Sequence, residues 1–150
     1  TLPGWDFYQF YGMAKGVTAL HEWKAGNGRN GGKAIGMGEG RFPEMKAIVD
    51  LEKGRRYEIS FWYKSVKRER DSSFSLFYYD GDLKSPREID HAKIQMLQSI
   101  TMKPTQGEWK RFASSFKPAR SGKHVIQLAV YYQDKDAWAW FDDVEIRRLW

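Results

Sequence analysis

No cysteine occurs in the 150 residues, so the fold is held without disulfides. A chain of this length builds a sizeable core and needs no such staple, and the absence leaves the compartment open. Only three histidines are present, His21, His91 and His124, scattered at no metal-ligand spacing. No apolar run approaches the ~20 residues that span a bilayer. The hydrophobic pattern shows no 3.6-residue period, which leaves few places for a helix. Neither a Gly-x-Ser-x-Gly elbow nor a phosphate loop occurs, and the glycine-rich stretch at 26–32 precedes a strand pattern rather than a helix. The first residues, Thr1-Leu2-Pro3-Gly4-Trp5, form neither a charged n-region nor an apolar h-region, so the chain is expected to be a piece of a longer one.

Aromatic residues are plentiful. Seven Trp, eight Tyr and nine Phe exceed what one core of this size needs, so some are expected at the surface, where they mark binding. The net charge of +6 favours anionic partners or simple solubility. The basic residues are dispersed except for Lys64 to Arg70, which reads as a solvated loop because Glu69 and Asp71 interrupt it, with a functional anion patch as the alternative.

Short runs with period-two alternation recur between turn residues. Strands are expected at Gly16 to Trp23, Lys33 to Met37, Met45 to Leu51, Arg56 to Ser65, Ser73 to Tyr79, Ala92 to Met102, Glu108 to Lys117, Lys123 to Gln133 and Trp138 to Arg148. About nine strands without a linker predict an all-β protein: one jelly-roll β-sandwich of two antiparallel sheets over residues 1–150.

Strand parity sorts the side chains. Tyr57, Ile59, Phe61 and Tyr63 form a core face, and Glu58, Ser60, Trp62 and Lys64 form a polar face that carries one tryptophan. Ile126, Leu128 and Val130 alternate with Gln127, Ala129 and Tyr131, and Phe74, Leu76 and Tyr78 with Ser75, Phe77 and Tyr79. An indole or phenol on a polar face suits the C–H side of a sugar ring, and a Gln amide suits its hydroxyls. The expected ligand-binding residues are Trp62, Tyr131, Gln127, Tyr79, Phe77 and Trp138, with Trp62, Tyr131 and either Phe77 or Tyr79 lining one groove.

Asp142 and Asp143 lie inside the last strand pattern, where Asp is disfavoured because it competes for backbone hydrogen bonds. A calcium ion held by Asp142 or Asp143 is one reason for them, since hard cations take carboxylate oxygens. The alternative is that one acid faces solvent while the other ties down a loop. Adjacent acids alternate faces on a strand, so this pair cannot flank a glycosidic bond as acid and base.

Several segments in order resemble a known family: Leu2-Pro3-Gly4-Trp5, Gly31-Gly32-Lys33-Ala34-Ile35, Gly54-Arg55-Arg56-Tyr57-Glu58-Ile59-Ser60-Phe61-Trp62-Tyr63-Lys64, Glu108-Trp109-Lys110-Arg111-Phe112 and Trp140-Phe141-Asp142-Asp143-Val144-Glu145-Ile146. Together they resemble the carbohydrate-binding modules of the family 4, 9, 16 and 22 type, with a galactose-binding-domain-like fold. The resemblance implies a structural calcium between the N-terminal segment and the last strand, at Asp142 or Asp143; parity puts Asp142 inward with Val144 and Ile146. The Asn-Gly/Ser-Phe-Glu segment that supplies further ligands in the family is missing before Pro3. The resemblance also implies that Trp5 and Trp109 are structural.

The expected function is a non-catalytic module of a secreted, extracellular or periplasmic polysaccharide-degrading enzyme. Its partners would be a polysaccharide or oligosaccharide and a catalytic domain in the same chain. It would be a monomer, with no nucleic acid and no membrane as partner. The competing reading is a lyase-like polysaccharide-degrading enzyme on the same fold, which the Tyr78-Tyr79 and Tyr131-Tyr132 pairs and the positive charge favour. A third is a binder of single-stranded nucleic acid through basic and aromatic groups.

Overall fold

The computed structural model describes residues 6–9, 21–25, 33–39 and 43–149, with the backbone alone at 6–9, 21–25, 33, 43 and 87. The expected segments at 1–5, 16–20 and 26–32, Trp5 among them, lie outside the described residues. Ten strands follow one another: β1 (Asp6–Gln9), β2 (His21–Ala25), β3 (Lys33–Met37), β4 (Pro43–Leu51), β5 (Tyr57–Val66), β6 (Ser72–Tyr79), β7 (Ile94–Met102), β8 (Lys110–Phe116), β9 (Gly122–Ala129) and β10 (Trp138–Arg148). Two short 3₁₀ turns, Pro86–Glu88 and His91–Lys93, precede β7. The strands form two five-stranded sheets, the first ordered β1-β4-β9-β6-β7 and the second β2-β3-β10-β5-β8, with every pair antiparallel. The expected β-sandwich is the observed one.

Alternation explains why the sheets face each other. Tyr57, Ile59, Phe61 and Tyr63 of β5 are buried, together with Phe141 and Ala139 of β10. From the first sheet Phe74, Leu76, Ile126, Leu128, Met45 and Ala47 meet them in one core. Phe61 stacks on Phe74 across the sandwich, ring centroids 4.8 Å apart and planes 8° apart. Removing such rings from water supplies roughly 25 cal/mol per Å² of apolar area, the main source of stability here.

Among the passages between sheets at one end of the sandwich are those from β5 to β6 and from β9 to β10, and Arg68 sits between these two. Its Nε donates to Ser72 Oγ at 2.9 Å and its Nη1 to Gln133 Oε1 at 2.9 Å. Its Nη2 donates to the carbonyls of Asp71 at 2.6 Å and Tyr131 at 3.1 Å. Gln133 Nε2 continues to the Met37 carbonyl at 3.0 Å, at the end of β3. Arg68 is only 6% exposed, and burial lowers its pKa from the ordinary value. The Lys64–Arg70 segment is thus no simple solvated loop: its central cation is an internal tie.

An ammonium cannot reproduce the fork. Arg68→Lys is expected to cost about 2–4 kcal/mol by leaving buried acceptors unpaired. That corresponds to a melting midpoint lower by roughly 5–15 °C for a domain of this size. An unchanged midpoint in thermal unfolding would show that the tie is dispensable.

Candidate functional site

The residues expected to bind a ligand fall on opposite outer faces of the sandwich. Trp62 and Trp138 lie in the second sheet, and Gln127, Phe77 and Tyr79 in the first, with Tyr131 just beyond β9. The groove expected to join Trp62 to Tyr131 and Phe77 or Tyr79 is therefore not formed. Parity reported inside against outside correctly, but the two outward sets point in opposite directions.

Phe77 and Tyr79 are buried in a satellite cluster with Leu83 and Val125, against Ile48, Ile89 and Ile94. The segment between β6 and β7 supplies Leu83 and Ile89, and Tyr79 OH accepts from the Asp90 amide at 3.2 Å. These two aromatics serve packing rather than an open face, a correction to the sequence reading.

Gln127 and Tyr131 do meet. Gln127 Nε2 donates to Tyr131 OH at 3.2 Å, and that hydroxyl donates to Glu44 Oε2 at 2.6 Å. Glu44 Oε1 takes the Lys46 ammonium at 3.0 Å as an ion-pair contact without hydrogen-bond geometry, and both side chains are almost wholly buried. Burial and the neighbouring Glu44 charge push the Tyr131 phenol well above its ordinary pKa, so it stays a neutral donor. Glu44 and Lys46 left no trace in the sequence reading, because charged residues at alternate strand positions look like a solvated face.

The second sheet presents the more open surface. Trp138, Trp140 and Asp142 share the outer face of β10, since their partners on β5 are Val66, Lys64 and Trp62. Arg111 of β8 lies opposite Trp62 on the other side. Trp62, Trp109 and Trp138 are half-buried. Trp138 stacks on Trp140 at 5.2 Å with planes 17° apart, and the Lys64 ammonium lies 4.9 Å from the Trp109 ring centroid. Trp109, which the resemblance implied to be structural, takes part in this outer surface. Trp140 faces Gly36 of β3, where a Cβ would come within 2.3 Å of the indole. Only glycine lets that ring lie on the strand.

Beside Trp62 is an open groove of about 450 Å³ lined by Ser60, Trp62, Arg111, Asp143, Val144 and Glu145. A β-bulge shapes it. Asp142 pairs with Trp62 and Glu145 with Ser60, so β10 uses one more residue than β5 over this step. Asp143 takes the left-handed backbone, φ 50°, and its amide donates to Asp142 Oδ1 at 2.8 Å. The extra residue resets the parity: Asp142 faces outward with Trp62, not inward as expected, while Val144 and Ile146 pack on the core. The two acids thus have a local conformational reason to be in the strand. Among the described residues no group of three or more His, Cys, Asp or Glu side chains is arranged to hold a metal ion. By themselves these residues do not assemble the six to eight oxygens that calcium takes.

With two antiparallel sheets and this order of strands, the chain has the jelly-roll fold of the carbohydrate-binding modules that its sequence resembles. It matches a CBM4 structure with a TM-score of 0.67 at 17% identity, over 97% of this chain and 86% of that one. It matches the CBM22-1–GH10 modules of Clostridium thermocellum xylanase 10B, complexed with xylohexaose, at 0.66 and 15% identity, over 98% of this chain and 26% of that one. The K1 cleaved adhesin domain of Lys-gingipain from Porphyromonas gingivalis W83 matches at 0.62 and 18%, over 100% of this chain and 94% of that one. Such identities establish the fold alone. No protein-family model matches the sequence. Among curated proteins, the tRNA nuclease WapA of Bacillus subtilis strain 168 is 31% identical over 104 residues, 67% of this chain and 4% of that protein. The tRNA(Glu)-specific nuclease WapA of Bacillus subtilis subsp. natto strain BEST195 is 29% identical over 111 residues, 71% of this chain and 4% of that one. The chain therefore spans about 4% of the length of these relatives.

The buried pair on the first sheet yields a stability test. Lys46→Met strands the Glu44 carboxylate without its cation and is expected to cost about 3–5 kcal/mol in urea unfolding. Adding Glu44→Gln to the same chain should restore most of that loss. Equal stability of the single and double variants would refute the pairing.

Proposed function

We propose that this chain is a non-catalytic carbohydrate-binding module that takes a polysaccharide or oligosaccharide on the outer face of its second sheet. The observation that carries this reading is Trp62, half-buried beside an open groove and flanked in register by Arg111 and Asp142. Its indole offers a flat apolar surface for the C–H side of a sugar ring, while Ser60, Arg111 and Glu145 offer donors and acceptors for hydroxyls. Trp138 extends the aromatic surface along β10.

The parent would be a secreted, extracellular or periplasmic polysaccharide-degrading protein, whose local concentration on its polymer the module raises. The structural relative from xylanase 10B, which carries CBM22-1 and GH10 modules together, supports that arrangement. Three of the four tyrosines of the lyase-like reading are engaged in packing or hydrogen bonds, and only Tyr132 of them stands exposed. Tyr131 is a neutral phenol tied to Glu44, Tyr79 is buried under the segment before β7, and Tyr78 lies under the Arg120 guanidinium at 5.1 Å. The relatives named as tRNA nucleases do not transfer their activity to a segment worth 4% of their length.

Trp62→Ala is expected to weaken binding to the best oligosaccharide of a glycan array by about 2 kcal/mol, roughly thirtyfold, with little change in melting midpoint. A core tryptophan would instead cost roughly 3–5 kcal/mol of stability. A collapsed midpoint with retained affinity would therefore defeat the assignment.

Calcium at Asp142 or Asp143 belongs to the same proposal. It predicts a midpoint that rises with added calcium and falls with chelator, because a ion bound only by the folded state stabilises by mass action. An unchanged midpoint removes calcium from the reading.

A further inference from the structure

Among the described residues, four of the five strained non-glycine positions gather at one end. Left-handed backbone at non-glycine residues occurs, among the described residues, at Lys67, Gln106, Tyr132, Asp136 and Asp143. The first four lie in the loops β5–β6, β7–β8 and β9–β10, all at the end where Arg68 sits. For a bulky aromatic such as Tyr132, φ 57° costs free energy and persists only where the surroundings enforce it.

The surroundings enforce it on both sides. The Tyr131 carbonyl accepts from Arg68 Nη2, and Gln133 is held by Arg68 Nη1 and by the Met37 carbonyl. Tyr132, between two pinned residues, is turned outward and left 49% exposed. The Arg70 guanidinium lies 5.4 Å from its ring centroid. A cavity of about 550 Å³ at this end is lined by Val66, Lys67, Arg68, Glu69, Gln106 and Gly107; Tyr132 and Arg70 stand outside that lining, Arg70 as the next residue of the loop and Tyr132 after Tyr131, whose carbonyl Arg68 holds. That volume lies within the ~300–1,000 Å³ of small-ligand sites.

We infer that this loop end is a second carbohydrate subsite, built on Tyr132 and Arg70, for a sugar ring that bears a carboxylate. The inference rests on the carbohydrate reading above and adds a place and a ligand class to it. Tyr132 supplies a preoriented aromatic surface, so little freedom is lost on stacking. Arg70 matches a carboxylate bidentately, and Lys67, exposed in the same loop, adds a second positive charge; the two outweigh the single exposed carboxylate of Glu69 between them, while Asp71 is paired with Lys103. Val66 lines the cavity and also pairs with Trp138, so the cavity meets the outer face of the second sheet at the Trp138 end of its aromatic surface. From Trp62 to Val66 the strand runs about 13 Å at ~3.3 Å per residue, a span an oligosaccharide can bridge.

The test is calorimetric titration with galacturonic acid oligosaccharides and with the same oligosaccharides after reduction of their carboxyls to alcohols. The native chain should bind the acidic form at least tenfold more tightly. Tyr132→Gly should lower that affinity at least tenfold while leaving the melting midpoint equal or higher, since glycine adopts this φ without strain. Arg70→Gln should abolish the preference for the acidic form and flatten its salt dependence. If Tyr132→Gly and Arg70→Gln bind as the native chain does while Trp62→Ala loses binding, the subsite is refuted and the carbohydrate reading stands. If the native chain binds no sugar of a broad glycan array, the carbohydrate reading fails and takes this subsite with it.

Discussion

One buried guanidinium organises the end of the sandwich where function is proposed. Arg68 is enclosed by neutral acceptors: a hydroxyl, an amide oxygen and two backbone carbonyls. A charge removed from water in this way is tolerated only when its donors are satisfied. Satisfying them fixes the start of β6, the loop after β9 and, through Gln133, the end of β3. The Tyr63 hydroxyl joins at Ser72 Oγ, 2.7 Å away, so the tie reaches the core as well. Ser65 and Thr105 clamp the neighbouring loop reciprocally, each backbone amide donating to the other's hydroxyl at 2.8 Å. The loops at this end therefore cannot relax independently, and a left-handed tyrosine survives among them.

The two outer faces solve opposite problems. On the first sheet a carboxylate, an ammonium, a phenol and an amide satisfy one another, and the satellite cluster covers the neighbouring strands. Around β4 and β9 that surface has spent its polar groups internally, while Met96 on β7 stays exposed. On the second sheet the half-buried indoles have apolar area still in water, and the groups around them are charged and solvated. Such a surface gains by covering its rings with another apolar face that also carries hydroxyls, which is the chemistry of a sugar.

Much of this was legible in the sequence because alternation is a local property. The bounds of β3 and β10 and the core face of β5 follow directly from period two. Four features escaped for physical reasons. Alternation does not say which sheet a strand joins, so Trp62 and Tyr131 could be imagined in one groove although β5 and β9 belong to different sheets. The bulge at Asp142–Glu145 adds a residue that no pattern announces, and it inverts the parity on which the facing of Asp142 was based. Arg68 lies in a charged run whose composition looks solvated, yet two of its four partners come from positions 63 and 65 residues away in sequence. The short β1, Asp6–Gln9, gave too brief an alternation to be seen.

The contact between Gly36 and Trp140 shows how a missing side chain shapes the proposed site. The Trp140 ring occupies the space a Cβ would fill, lying against β3 instead of standing into solvent. Trp138, two residues earlier on the same face, then finds a ring to stack on. An indole packed on another indole is restrained before any ligand arrives, so binding freezes fewer rotamers. The glycine acts through two aromatic neighbours, and its influence on affinity would be exerted without touching a ligand. Ranking the residues of this face by proximity to the groove would miss it, whereas following which ring supports which leads from Trp138 through Trp140 to Gly36.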